Sequence, residues 1–140
     1  MKKNKLLIDY EFDFELLGVS SAARGYKLAW ELNQTLGINL IKQPDLVVGF
    51  KKELEKTFSY YSFETALNRL KLFKNRPHEQ DEGKYFLIPE FPHYDFIILA
   101  AMNEKHTEHN LIDLIKSVPS IQFVAPISLE GLKSRSNFIF

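Results

Sequence analysis

An unbroken apolar run, Phe96 to Ala101, constrains this chain more than any other stretch. Its length and its content of aromatic and branched residues fit a buried strand. A second run, Tyr85 to Ile88, precedes it and reads as another buried strand. Between them lies a short polar turn with two prolines. Pro89 and Pro92 lack an amide donor and fix their own φ, so regular pairing must break there. The turn carries Glu90, His93, Tyr94 and Asp95 at the mouth of the second strand. These are the most conspicuous polar groups next to the core and the candidate binding residues.

The remaining elements follow from periodicity. From Lys5 to Val19, Tyr10, Phe12, Phe14 and Leu16 alternate with Glu11, Asp13 and Glu15, a period of two with one apolar and one acidic face. Ser20 or Ser21 can cap a helix over Ala22 to Leu36, in which Gly25, Leu28, Ala29, Leu32 and Leu36 mark one face and Gly37 ends it. Tyr26 and Trp30 flank that stripe and are expected in the core, Trp30 buried between helix and sheet. Ile38 to Ile41 and Leu46 to Phe50 read as short strands, and Lys51 to Lys56 as a solvated charged turn. Thr57 to Glu64 and Arg69 to Asn75 read as antiparallel strands; the alternative is one helix across Phe63 to Phe73. Arg76 to Gly83 is expected to be an exposed loop. A second helix, with Thr107 as N-cap, buries Leu111, Leu114, Ile115 and Val118 and stops at Pro119. Ile121 to Ile127 is the last strand, and the tail 128–140 is expected to pack on the body through Phe138-Ile139-Phe140 or to add to a sheet edge.

Two β-α-β units separated by extra strands predict one α+β domain over residues 1–140. The expected form is a mainly antiparallel sheet with two helices on one face, a ferredoxin-like split βαβ with inserted hairpin strands. At 140 residues and 45% hydrophobic, the chain is long and apolar enough for a real core. Lys plus Arg equals Asp plus Glu, 18 each, so no net field favours nucleic acid or an anionic membrane. No stretch approaches the roughly 20 apolar residues of a membrane span. The basic start Met1-Lys-Lys-Asn-Lys5 is followed by too short an apolar run for a signal peptide, and the absence of Cys fits a reducing compartment, so the expected location is cytoplasmic.

The run Ile88-Pro89-Glu90, followed by Tyr94-Asp95-Phe96, resembles the signature of the IPExxVDY family, small proteins of Bacteroidetes-type bacteria. The family's acidic-aromatic opening strand before a Trp-bearing helix is similar to Asp9-Tyr10-Glu11-Phe12-Asp13-Phe14 and Trp30, and its tail to Leu132-Lys133-Ser134 and the apolar end. Three residues, Phe91, Pro92 and His93, separate Glu90 from Tyr94 here, one more than the signature has. Tyr94 and Phe96 stand where it has Val and Tyr. The resemblance implies a lineage and no activity.

The chemistry these residues can support is limited. Glu90 and Asp95 would form a general acid/base pair if the turn brought them together; the alternative is that Asp95 bonds turn amides and Glu90 faces water. His106 and His109, with His78 and His93 elsewhere, lack a third ligand and HExxH spacing, so no metal is expected. The acidic strip Asp9, Glu11, Asp13 and Glu15 reads as a solvent face. GxxxxGK[ST], GxGxxG and GxSxG are absent, and no cofactor is expected. The leading expectation is a non-enzymatic protein-interaction domain that binds a protein partner or itself through a sheet edge or the apolar tail. The alternatives are a small-molecule-binding regulatory domain and an enzyme using Glu90 and Asp95.

Overall fold

A computed structural model describes residues 13–50, 54–77, 85–102 and 108–138. Its centre is strand β7 (Phe96–Met102), the apolar run. Around it an α+β fold assembles from β1 (Glu15–Ser20), α1 (Gly25–Leu36), β2 (Ile41–Lys42), β3 (Leu46–Phe50), β4 (Leu54–Phe58), β5 (Tyr60–Glu64), β6 (Asn68–Lys74), α2 (Glu108–Lys116) and β8 (Phe123–Ile127). Six strands form one sheet in the order β2-β5-β6-β7-β1-β8, every neighbouring pair antiparallel, and β3 and β4 form a separate ribbon.

The sheet is covered on both faces because β7 alternates between two apolar environments. Phe96, Ile98 and Ala100 join Leu17, Val19, Leu70, Leu72 and Val124 under both helices, which contribute Leu28, Ala29, Leu32, Leu111, Ile115 and Val118. Ile97 and Leu99 point the other way, into a cluster with Leu16 and Phe73, the ribbon's Val48 and Phe58, the turn's Leu87, Ile88 and Tyr94, and the tail's Leu132 and Phe138. The β7-α2-β8 unit is split, since β1 lies between its strands and antiparallel to both. In a ferredoxin-like sheet the last strand of the first unit would pair with the first strand of the second. Here β5 and β6 stand between β2 and β7, so that finer assignment is not established.

Several local expectations change. Tyr85 to Ile88 is not a strand: the amides of Leu87 and Ile88 go to Asn75 instead of a neighbouring strand, although both side chains are buried. Leu54 to Phe58 is a strand rather than part of a solvated turn, and Lys56 is buried with its ammonium 5.1 Å from the centre of the Tyr85 ring. A break at Ser59 sends β4 and β5 into different sheets. The strand reading of 63–73 holds, with β5 and β6 paired from Tyr60↔Phe73 to Glu64↔Arg69. Of the strand expected over Ile38 to Ile41 only Ile41 pairs, together with Lys42, and the last strand begins at Phe123. Along β1, Leu16 and Leu17 are both buried, so this stretch has no acidic face; Asp13 lies ahead of it and bonds Arg69 at 3.0 Å.

Helix α1 starts later than expected and turns its aromatics outward. Ser21 Oγ accepts from the Ala23 amide, leaving Arg24 as an N-cap with no side-chain bond. Gly37 closes the helix at φ 68°. Trp30 is 61% exposed and Tyr26 66% exposed, which overturns the expected burial of both. At 100° per residue, Trp30 lies about 200° round the helix from both Leu28 and Leu32, opposite the buried stripe. Glu31 is buried, and its carboxylate accepts from the amide and hydroxyl of Ser120 and so ties α1 to the α2-β8 connection.

Candidate functional site

Asn75, at the end of β6, builds the proline turn. It is fully buried. Its Nδ2 donates to the carbonyls of Phe91 (3.1 Å) and Tyr94 (2.9 Å), and its Oδ1 accepts from the Ile88 amide at 2.8 Å. Its own amide donates to Asp95 O and its carbonyl accepts from Leu87 N. One side chain thus supplies the partners that the irregular backbone needs because Pro89 and Pro92 interrupt any ladder. Sequence reading passed over Asn75, whose side-chain partners lie 13 to 19 residues further along the chain.

The four turn residues serve different neighbours. Glu90 is exposed, as expected, but it is also hydrogen-bonded. Its Oε2 accepts from the amides of Lys133 (2.9 Å) and Ser134 (3.3 Å), and its Oε1 from Ser134 Oγ at 2.9 Å. It therefore caps the C-terminal 3-10 helix Lys133–Phe138, as a carboxylate caps any helix start. Partial burial pushes this carboxyl up, but the hydrogen bonds from its own amide, Ser134 and Lys133 outweigh that and hold it below the ordinary range. Asp95 Oδ2 accepts from the Ser21 amide at 2.9 Å, and Asp95 N donates to Val19 O. Tyr94 lies flat over Gly18: a Cβ there would sit 2.6 Å from its Cζ and nearer still to Cδ2 and Cε2. His93 is exposed, its ring 4.5 Å from that of Tyr94. The two carboxylates are engaged by different elements, Glu90 by the tail and Asp95 by the β1-α1 loop.

Asp95 leads to a site-like groove among the described residues. By holding Ser21, whose hydroxyl holds Ala23, it fixes the loop into α1. That loop and the first turn of α1 face Ser59, Tyr61, Lys74 and Phe96 across a groove of about 460 Å³. Arg24 and Lys74 bring positive charge to it, and Tyr26, Tyr61 and Ser59 bring hydroxyls; among the described residues no Asp or Glu lines it. Partial burial, then the neighbouring Tyr26 hydroxyl, push the Tyr61 phenol up, so it remains a hydrogen-bond donor at neutral pH. Sequence reading found neither cation, because the wall is assembled from four separate segments. The one local signal was Gly25 at the start of an otherwise regular helical stripe.

Among the described residues no group of three His, Asp or Glu side chains could hold a metal ion. His78, His106, Thr107, Asp9 and Glu11, and the side chain of His109, lie outside the described residues. No described helix is long and apolar enough to cross a membrane. Fold and groove together define an α+β domain with an antiparallel sheet, two helices over one face, and a ligand-sized recess where the first helix begins. No protein-family model matches this chain, and neither does any curated protein sequence.

Proposed function

We propose that the protein is a cytoplasmic, non-enzymatic protein-interaction domain whose partner docks on the outer face of α1. The observation that carries this is the pair Tyr26 and Trp30, four apart on one helix face and both mostly exposed. Trp and Tyr are the residue types that most often dominate binding energy at interfaces. The chain's single Trp is left outside a fold that buries 28 other apolar residues among those described.

The other routes have less support. Of the tail's apolar residues, Leu132 and Phe138 are already packed in the second core. The sheet edges are blunted: β2 has two residues, and β8 carries Pro126, which offers a docking strand no donor. The lineage suggested by Ile88-Pro89-Glu90 adds no competing activity. A photo-reactive amino acid in place of Trp30 should give a discrete adduct with another protein in cells, and the same group in place of Glu55, exposed on β4, should give none. Equal labelling from both positions, or none from position 30, would count against the proposal.

A further inference from the structure

The groove beside α1 carries chemistry that a partner-docking face does not need. We propose that it is a binding site for a small phosphomonoester with a planar, aromatic body. The site shares Tyr26 with the proposed partner face, but Trp30 does not line it.

Charge comes first. Arg24 and Lys74 are the ionised side chains of the groove, and neither makes an ion pair or a side-chain hydrogen bond among the described residues. Two uncompensated cations match the charge of a phosphomonoester, about −1.5 to −2 at neutral pH, better than that of a carboxylate. Donor count agrees. Tyr26, Tyr61 and Ser59 add hydroxyls, and the helix start adds the amides of Gly25 and Tyr26, which have no acceptor among the described residues. Three phosphoryl oxygens can use that many donors.

Gly25 supplies an independent indication. Its φ is not positive, so its backbone conformation does not require glycine. Packing does not require it either: a Cβ would meet Tyr61 Cε1 at 3.5 Å and Phe96 Cε1 at 3.8 Å, ordinary contacts. Alanine would favour the helix. What glycine does here is leave the groove floor open between the helix amides and the two rings. The volume, about 460 Å³, is that of a small-molecule site and exceeds what a bare phosphate fills. Tyr26, Tyr61 and Phe96 provide flat apolar walls for the remainder of the ligand.

The test is a titration of the full chain, isotopically labelled, with phenyl phosphate, inorganic phosphate and phenol, followed through the backbone amide resonances. Phenyl phosphate should shift the Gly25 and Tyr26 amides saturably, inorganic phosphate should bind at least about tenfold more weakly, and phenol should leave both amides unmoved. The double variant Arg24→Ala, Lys74→Ala should weaken phenyl phosphate about tenfold or more. Gly25→Ala should melt at or above the parent temperature yet lose a comparable factor in affinity, which separates a filled groove from a damaged fold. Trp30→Ala should bind phenyl phosphate like the parent, and Arg24→Ala with Lys74→Ala should leave the adduct formed from a photo-reactive residue at position 30 unchanged, so the two proposals fail separately. The site is overturned if phenyl phosphate gives no saturable shift at these amides, if Gly25→Ala binds as the parent does, or if inorganic phosphate binds equally well. A phosphotyrosine peptide binding much more tightly than phenyl phosphate would overturn the small-molecule assignment.

Discussion

Replacing Asn75 by Ala should be among the most damaging single changes in the molecule. The substitution leaves three backbone groups without their partner: the Ile88 amide and the carbonyls of Phe91 and Tyr94. An unpaired buried polar group costs about 1–3 kcal/mol. The Tyr94 and Ile88 bonds are buried, whereas the Phe91 bond is only partly so and its carbonyl can recruit water. Two full penalties and one reduced by about half give a loss of about 2.5–7.5 kcal/mol. That is a large share of the roughly 5–15 kcal/mol that holds a typical domain together. Asn75→Asp should be as harmful at neutral pH, because a carboxylate keeps the acceptor but loses both donors and faces two carbonyl oxygens. Urea unfolding followed by far-ultraviolet circular dichroism is the suitable assay, since the exposed Trp30 makes fluorescence a poor reporter of this region. An Asn75→Ala protein within about 1 kcal/mol of the parent would refute the reasoning, because even one unsatisfied buried group costs that much.

Gly18→Ala should destabilise by about 1–3 kcal/mol or more through collision with the Tyr94 ring, and Gly18→Ala combined with Tyr94→Leu should recover part of the loss in the same unfolding assay. Asp95→Ala should cost about 1–3 kcal/mol by orphaning the Ser21 amide, with Asp95→Asn milder because an acceptor oxygen remains; equal melting temperatures for Asp95→Ala and the parent would show that the bond is idle. The Glu90 carboxyl titrates lower in the folded than in the unfolded chain, so its stabilisation is present above the ordinary value of 4.5 and is lost as pH falls through the lower folded value. The protection of the Leu132 to Phe138 amides against hydrogen exchange, relative to their intrinsic rates, should therefore fall in acid, and Glu90→Gln should flatten that dependence. Trp30→Ala should change stability by no more than about 0.5 kcal/mol, and native emission should be that of a largely hydrated indole; a blue-shifted native spectrum would place Trp30 in the core after all.

What the sequence disclosed was whatever neighbours in the chain decide. The apolar run at Phe96 to Ala101, the short strand Leu46 to Phe50 and the stripe Leu28, Ala29, Leu32 each state their own period, and each forms as read. The antiparallel α+β class followed from their order. Trp30 was misjudged because the tendency of large aromatics to be buried was allowed to override its angular position on the helix. Tyr85 to Ile88 has strand composition, but Asn75 captures its amides, and no local pattern announces a competitor that far away. Glu90 was visible as a polar residue in a turn, while its purpose lies in a segment more than forty residues later. The groove was illegible for the same reason: helix start, strand break, strand end and β7 contribute to it, and only folding brings them together.

The place of β1 between β7 and β8 has a kinetic consequence. Leu16 is paired with Leu99 on one side and Ile127 on the other, so β1 acquires its first partner only after the long stretch up to β7 has been made. Until then, Leu16, Leu17 and Val19 are an apolar segment without a ladder. Loop closure over such distances is slow and exposes the chain to wrong associations, so this protein should fold late and as a whole rather than stepwise during synthesis. Arrested nascent chains that stop before β7 should resist compaction and bind chaperones that hold unfolded segments, and chains extended past β8 should not.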